Sequence, residues 1–163
     1  MLSSGAENVK AFYLGHPNGH PDPRVTCAFV RFAADDMWLE TTHNYIQWAF
    51  PLREVSTFVE RSPFVVESDI PELRKLPYLL DAQRDAATRM LKFYTDYTFW
   101  RDGSDNHNHL RITRIIKSLK LLQNDSRHAQ RFFHKIVALT LEDDCDVPTL
   151  SLNFWESALA YND

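Results

Sequence analysis

From Asn108 to Thr140 the chain sets apolar residues at helical spacing in two consecutive runs, and this stretch most narrows what it can fold into. Ile112, Ile115, Ile116, Leu119 and Leu122 share one arc of the first run. Ala129, Phe132, Phe133, Ile136, Val137 and Thr140 keep the same period in the second. Only Asn124-Asp125-Ser126 separates the two, so a pair of neighbouring amphipathic helices is expected, each burying one face. No segment alternates convincingly as a strand, and 4 Gly in 163 residues suits helices with short connections better than turn-rich sheets. The expected fold class is all-α: a single-domain helical bundle or orthogonal array of about six to seven helices.

The rest of the chain reads the same way. Residues 1–21 are expected to be a partly ordered N-terminal lead, because Gly15-His16-Pro17-Asn18-Gly19-His20-Pro21 is turn chemistry without an apolar period. A single helical domain is expected over 22–163. Asp22 can cap a first helix with Pro23 at its first position, and Val25, Ala28, Phe29 and Phe32 follow the helical period. A second helix is expected over Asp36 to Ala49, stopped by Pro51, with an extended connection over 51–67. Asp69 with Glu72 resembles a capping box, and Pro77 opens a longer helix through Tyr94. Asp102-Gly103-Ser104-Asp105 interrupts the pattern, and Asp146-Val147-Pro148 starts a last helix carrying Leu150, Phe154, Trp155 and Leu159.

Composition excludes several classes. Apolar residues at 44% and charged residues at 25% are ordinary globular usage. No apolar run approaches the ~20 residues that span a bilayer, and Met1 to Lys10 lacks the features of a secretion signal, so a cytoplasmic location is the default expectation. Cys27 and Cys145 have no metal-like spacing and require no oxidising compartment. His16, His20 and Asp22 sit close in sequence but lack a second ligand pair, so no metal site is assigned. No cofactor motif is present.

Charge is distributed unevenly. Between His107 and Lys135 lie seven basic residues and one acid, Asp125, a local charge of +6 that leaves −10 on the remainder of a chain whose net charge is −4. A solvated basic face is the ordinary explanation, and a site for an anionic ligand is the sharper one.

Two blocks concentrate polar residues within helical pattern. In the first, His43 through Leu52 (HNYIQWAFPL), His43 and Gln47 sit one turn apart at the edge of an apolar arc, and Trp48 lies off it. An off-arc Trp marks either a helix buried on two sides or a binding platform. In the second, Asn106 through Leu122 (NHNHLRITRIIKSLKLL), Asn108 can cap the helix while Arg111 and Arg114 border its apolar arc, with Lys117 a turn further on. Free N–H groups at that helix start and forked guanidinium donors suit a phosphate or carboxylate. An Arg on a core margin equally often packs its stem and pairs locally. The His107/His109 pair is better explained by capping and loop hydrogen bonds than by metal.

These two blocks, with the segment from Ser62-Pro63-Phe64 to Met90-Leu91-Lys92-Phe93-Tyr94 between them, resemble the opioid growth factor receptor conserved region over roughly residues 11–155. The resemblance implies a helical domain. Animal members are described as receptors for an opioid peptide, associated with the nuclear envelope and growth inhibition. The chain shows neither a C-terminal repeat region nor a basic nuclear-import cluster, which implies a short, domain-only, microbial member, and Gln123 stands where the family tends to have a turn glycine. Peptide-hormone binding is therefore not carried over, and the resemblance supplies no catalytic residues.

The leading expectation is a binding or interaction module that engages an anionic small molecule or a peptide or protein partner. Its site residues would be His43, Gln47, Trp48, Asn108, Arg111, Arg114 and Lys117. An enzyme of unknown class built on His and Arg is the alternative; no phosphate loop, nucleophile elbow or zinc signature supports it. A nucleic-acid-binding helical module is the third, disfavoured by a pI of about 5.9.

Overall fold

A computed structural model describes residues 1–103 and 106–162; Ser104 and Asp105, the second half of the expected break, lie outside the described residues. Every regular element among those described is helical. They are α1 (Ser4–Leu14), α2 (Asp36–Thr41), α3 (Ile46–Ala49), α4 (Asp69–Leu73), α5 (Pro77–Asp96), α6 (His107–Leu122), α7 (Arg127–Thr140) and α8 (Thr149–Ala158). A π-helical turn at Phe29–Ala33 and a 3-10 turn at Phe99–Arg101 complete them. The all-α expectation holds. The chain divides into two compact units, Met1–Arg89 and Met90–Asp163, with α5 contributing residues to each.

In the first unit, α1 packs against α3 and α4. Residues 1–21, expected as a partly ordered lead, thus carry a helix that buries Ala6, Val9, Phe12 and Tyr13. Ser3 caps it by accepting from the Ala6 amide, and Gly15 ends it at φ 77°, a left-handed conformation that costs glycine nothing. The helix expected from Asp22 starts later. The Asp22 carboxylate is occupied by the Arg24 amide and guanidinium in a turn, and Thr26 supplies the local cap by accepting from the Phe29 amide. The helix expected over Asp36–Ala49 is broken into α2 and α3, with Thr42 extended at φ −92°, ψ 128°. Its break is held by side chains, since the Tyr45 hydroxyl donates to the Leu39 carbonyl at 3.0 Å. The Asn44 carbonyl is taken by His20 Nε2. The Asp69–Glu72 capping box does not form either; Asp69 is the first residue of α4, and no side chain caps that helix from Ser68.

In the second unit, α6 is the central helix. It packs against α7, α8 and the 3-10 turn, and α7 also meets α8. Ile112, Ile115, Ile116, Leu119 and Leu122 are all buried, and α7 buries Ala129, Phe132, Ile136 and Leu139 against them. Trp100 and Trp155 are fully buried within this unit, each with its indole N–H donating to a backbone carbonyl, Tyr94 and His109 respectively.

Candidate functional site

The seven residues singled out from sequence divide between the units. His43, Gln47 and Trp48 belong to the first, and Asn108, Arg111, Arg114 and Lys117 to the second.

His43 is exposed in the loop between α2 and α3, whereas Gln47 and Trp48 are buried in α3. The Trp48 indole N–H donates to the Gly19 carbonyl at 2.6 Å, and its ring lies 4.4 Å from that of His20. His20 is itself a local brace: Nδ1 accepts from the Asp22 amide at 2.9 Å while Nε2 donates to the Asn44 carbonyl. A histidine placed in turn chemistry by sequence is thus a buried packing partner of Trp48. The Gln47 Oε1 is buried without a hydrogen-bond partner among the described residues.

On α6 the cap is Asn106, not Asn108. The Asn106 side chain accepts from the Asn108 amide at 2.9 Å, because a short carboxamide two residues upstream closes an Asx turn at the helix start. Asn108 then falls inside the first turn and is fully buried. Arg111 is 5% exposed and donates from Nη1 to Asn108 Oδ1 at 3.4 Å. Arg114 and Lys117 are half-exposed, and the Lys117 ammonium lies 5.2 Å over the ring of Tyr161. On α7 the basic residues Arg127, Arg131 and Lys135 face solvent. The Arg127 side chain bonds to Asp125 and holds that carboxyl down at about 2.

Sequence reasoning missed a concavity in this unit. A groove of about 280 Å³ lies between α6 and α8, with Asn106 and Pro148 among its lining residues. Leu110, Leu150 and Phe154 line it and are 59%, 65% and 56% exposed. Beneath them His109 is clamped: Nε2 donates to the Trp100 carbonyl at 2.6 Å, which leaves Nδ1 to accept from the Ser151 hydroxyl at 2.9 Å. The ring stands edge-on to Trp155 at 5.6 Å. Both imidazole nitrogens are engaged, and no carboxylate lines the groove among the described residues. This arrangement presents apolar surface over a fixed polar floor. A signal for it existed in α8, where Leu150 and Phe154 form a second apolar pair apart from the buried Trp155 and Ala158.

Among the described residues no group of three or more His, Cys, Asp or Glu is placed to hold a metal ion. No helix among them is long and apolar enough to cross a membrane.

An all-helical chain of this kind meets the family model of the opioid growth factor receptor conserved region over residues 4–105, and it belongs to that family. That match ends before the Asn106–Leu122 block. An opioid growth factor receptor-like protein 1 from Xenopus tropicalis is 31% identical over 168 aligned residues, covering 92% of this chain and so taking in α6. The mouse opioid growth factor receptor-like protein 1 is 32% identical over 76% of the chain, and the mouse opioid growth factor receptor 35% identical over 50%. The chain spans 31%, 28% and 15% of these three relatives. No solved structure matches it.

Proposed function

We propose that the chain is an interaction domain that holds a peptide or protein segment in the α6–α8 groove of its second unit. One observation carries this reading: three large apolar side chains, Leu110, Leu150 and Phe154, stand more than half exposed around a single concavity. Scattered exposed apolar residues are ordinary, but a contiguous cluster in a groove marks a contact surface. The volume of about 280 Å³ falls just below the roughly 300–1,000 Å³ of small-molecule sites, so it suits one or two anchoring side chains of a larger partner. Engagement of both His109 nitrogens favours binding over acid–base catalysis. The receptor role printed for the mouse relative is not transferred, since the chain spans 15% of that protein.

The test is a peptide library with varied apolar anchors, titrated against the purified chain while backbone amide shifts of α6 and α8 are followed. Saturable shifts that vanish in Phe154→Ser, with helicity unchanged, are expected. Shifts elsewhere, or unaffected by that substitution, overturn the groove assignment.

The +6 charge of residues 107–135 favours a second reading, an anionic ligand on the cations of α6 and α7. Half-exposed Arg114 and Lys117 with exposed Arg131 and Lys135 would contact it, while the burial of Asn108, Arg111, Gln47 and Trp48 supports packing roles for those four. Binding of inorganic phosphate or oligonucleotide that survives Arg114→Ala/Lys117→Ala would remove this reading; steep salt dependence would point to nucleic acid.

A further inference from the structure

The groove meets a segment of one sign. From Ile136 to the end of the sequence there are six acids, Glu142, Asp143, Asp144, Asp146, Glu156 and Asp163, and no Lys, Arg or His. The loop that carries the first four leads directly into Pro148, which lines the groove, and all four are exposed. This loop is fixed in place. The Asp146 amide donates to the Arg101 carbonyl at 2.8 Å, and the Arg101 guanidinium pairs with Glu142 at 2.6 Å. Only Glu142 of the four is neutralised in this way; Asp143, Asp144 and Asp146 have no ion-pair partner among the described residues. On the α6 wall the groove is lined by neutral Asn106 and Thr113, and the nearby cation Lys117 is engaged with Tyr161.

We infer that the occupant of the α6–α8 groove is a basic amphipathic segment, with apolar anchors for the Leu110–Leu150–Phe154 surface and Lys or Arg beside Asp143, Asp144 and Asp146. The inference rests on the groove being a binding site and adds the chemistry of its partner. Apolar contact supplies affinity, and the exposed acidic loop that leads into Pro148 supplies orientation, rate of encounter and rejection of acidic competitors. Leu150 and Phe154 are one helical turn apart, the spacing at which a partner helix offers its own anchors. A second copy of the chain fits poorly. Its basic helix α7 has already buried its apolar face, Ala129, Phe132, Ile136 and Leu139, and its exposed apolar pair on α8 comes with the same acidic charge. An anionic lipid surface would meet the acidic loop with repulsion.

The experiment uses the full chain and two fluorescein-labelled helical peptides that share Leu and Phe anchors at i and i+4 but differ in flanks, Lys in one and Glu in the other. Anisotropy is read at low and high salt. The Lys-flanked peptide should bind about tenfold or more tighter, with the advantage shrinking at high salt. D143N/D144N/D146N should erase that advantage, and Phe154→Ser should abolish binding of both peptides. Asn suits position 144 because Asp144 has φ 61°, a left-handed conformation that Asn tolerates. Equal affinity for the two peptides would overturn the basic partner while leaving the groove a binding site. Absence of binding by either peptide would overturn both. Self-association by sedimentation that Phe154→Ser removes would replace the basic partner with a second copy. Phosphatidylserine vesicles bound through Phe154 would replace it with a membrane.

Discussion

Ser3 and Asp69, sixty-six residues apart, are joined by two hydrogen bonds, from the Ser3 amide to Oδ1 at 2.7 Å and from its hydroxyl to Oδ2 at 2.5 Å. The Val66 amide adds a third at 2.8 Å. This carboxylate therefore ties the cap of α1 to the start of α4 within the first unit. Burial pushes the Asp69 carboxyl up, and the bonds from Ser3 and Val66 outweigh it and hold the group below the usual carboxylate range. A depressed folded pKa contributes stability that is present above the unfolded value of 3.8 and lost as pH falls through the folded one. Asp69→Asn should cost about 2 kcal/mol at neutral pH, because it removes a charged acceptor from a buried site. The gap between urea melts of the two proteins should begin to shrink as pH falls below 3.8 and close only below the depressed folded pKa, where the wild-type carboxylate is itself protonated. A constant gap down to pH 2 would show that the carboxylate charge contributes nothing.

Long helices were legible where pattern and punctuation agreed. Pro77 marks the start of α5, and Ile112 to Leu122 buries the arc that its spacing implies. Helix α1 carried comparable signals in Ser3, the spacing of Ala6, Val9, Phe12 and Tyr13, and Gly15, but the turn-rich residues that follow masked them. The break at Thr42 was not legible. It depends on a tyrosine hydroxyl and on a histidine more than twenty residues upstream, which local propensity does not encode. In the candidate site, chemistry was read from residue type while exposure was set by packing. Arg111 and Asn108 look like ligand contacts in sequence and are interior in the fold. The groove appears only once α8 lies on α6.

Gly5 offers a sign reversal. In an exposed helix Gly→Ala gains about 0.5–1 kcal/mol through chain entropy. A Cβ at Gly5 would stand 2.0 Å from the Phe64 carbonyl oxygen, a backbone atom that cannot rotate away. Gly5→Ala should therefore destabilise by about 1–3 kcal/mol, the range for an overpacked contact. Thermal melting with the Ala variant above wild type would mean that the 62–66 segment yields freely.

Cys27 and Cys145 should differ sharply in reactivity. Burial pushes the Cys27 thiol up to about 12, with Arg31 opposing, while Cys145 is half-buried in the acidic loop. At pH 8 about one Cys27 in ten thousand is thiolate, so a disulfide reagent should modify one thiol per chain, and none in Cys145→Ser. A folded pKa raised from 9.0 favours the native state below pH 9, and that contribution is lost as pH rises towards 12. Burial also raises the Tyr13 phenol, which extends the same alkaline loss. Rapid labelling of both thiols in the folded protein would contradict the buried placement of Cys27.

Arg111 and Lys117 separate folding from binding on one helix. Arg111 is interior, its guanidinium donating to a fully buried Asn108, so removing it loses that bond and the packing of its stem. Arg111→Ala should lower stability by about 2–3 kcal/mol. Arg111→Lys should restore only part of this, since one ammonium does not reproduce a fork. Lys117 touches solvent and a tyrosine face, and Lys117→Ala should stay within about 0.5–1 kcal/mol of wild type. Chemical melts of the three variants decide the assignment. An Arg111→Ala protein that melts with wild type while losing affinity for an anion would return Arg111 to ligand contact and place the functional surface on the α6 cations. A destabilised Arg111→Ala protein beside an unchanged Lys117→Ala protein would make the Arg111–Asn108 pair a folding constraint, and leave the α6–α8 groove as the surface to pursue.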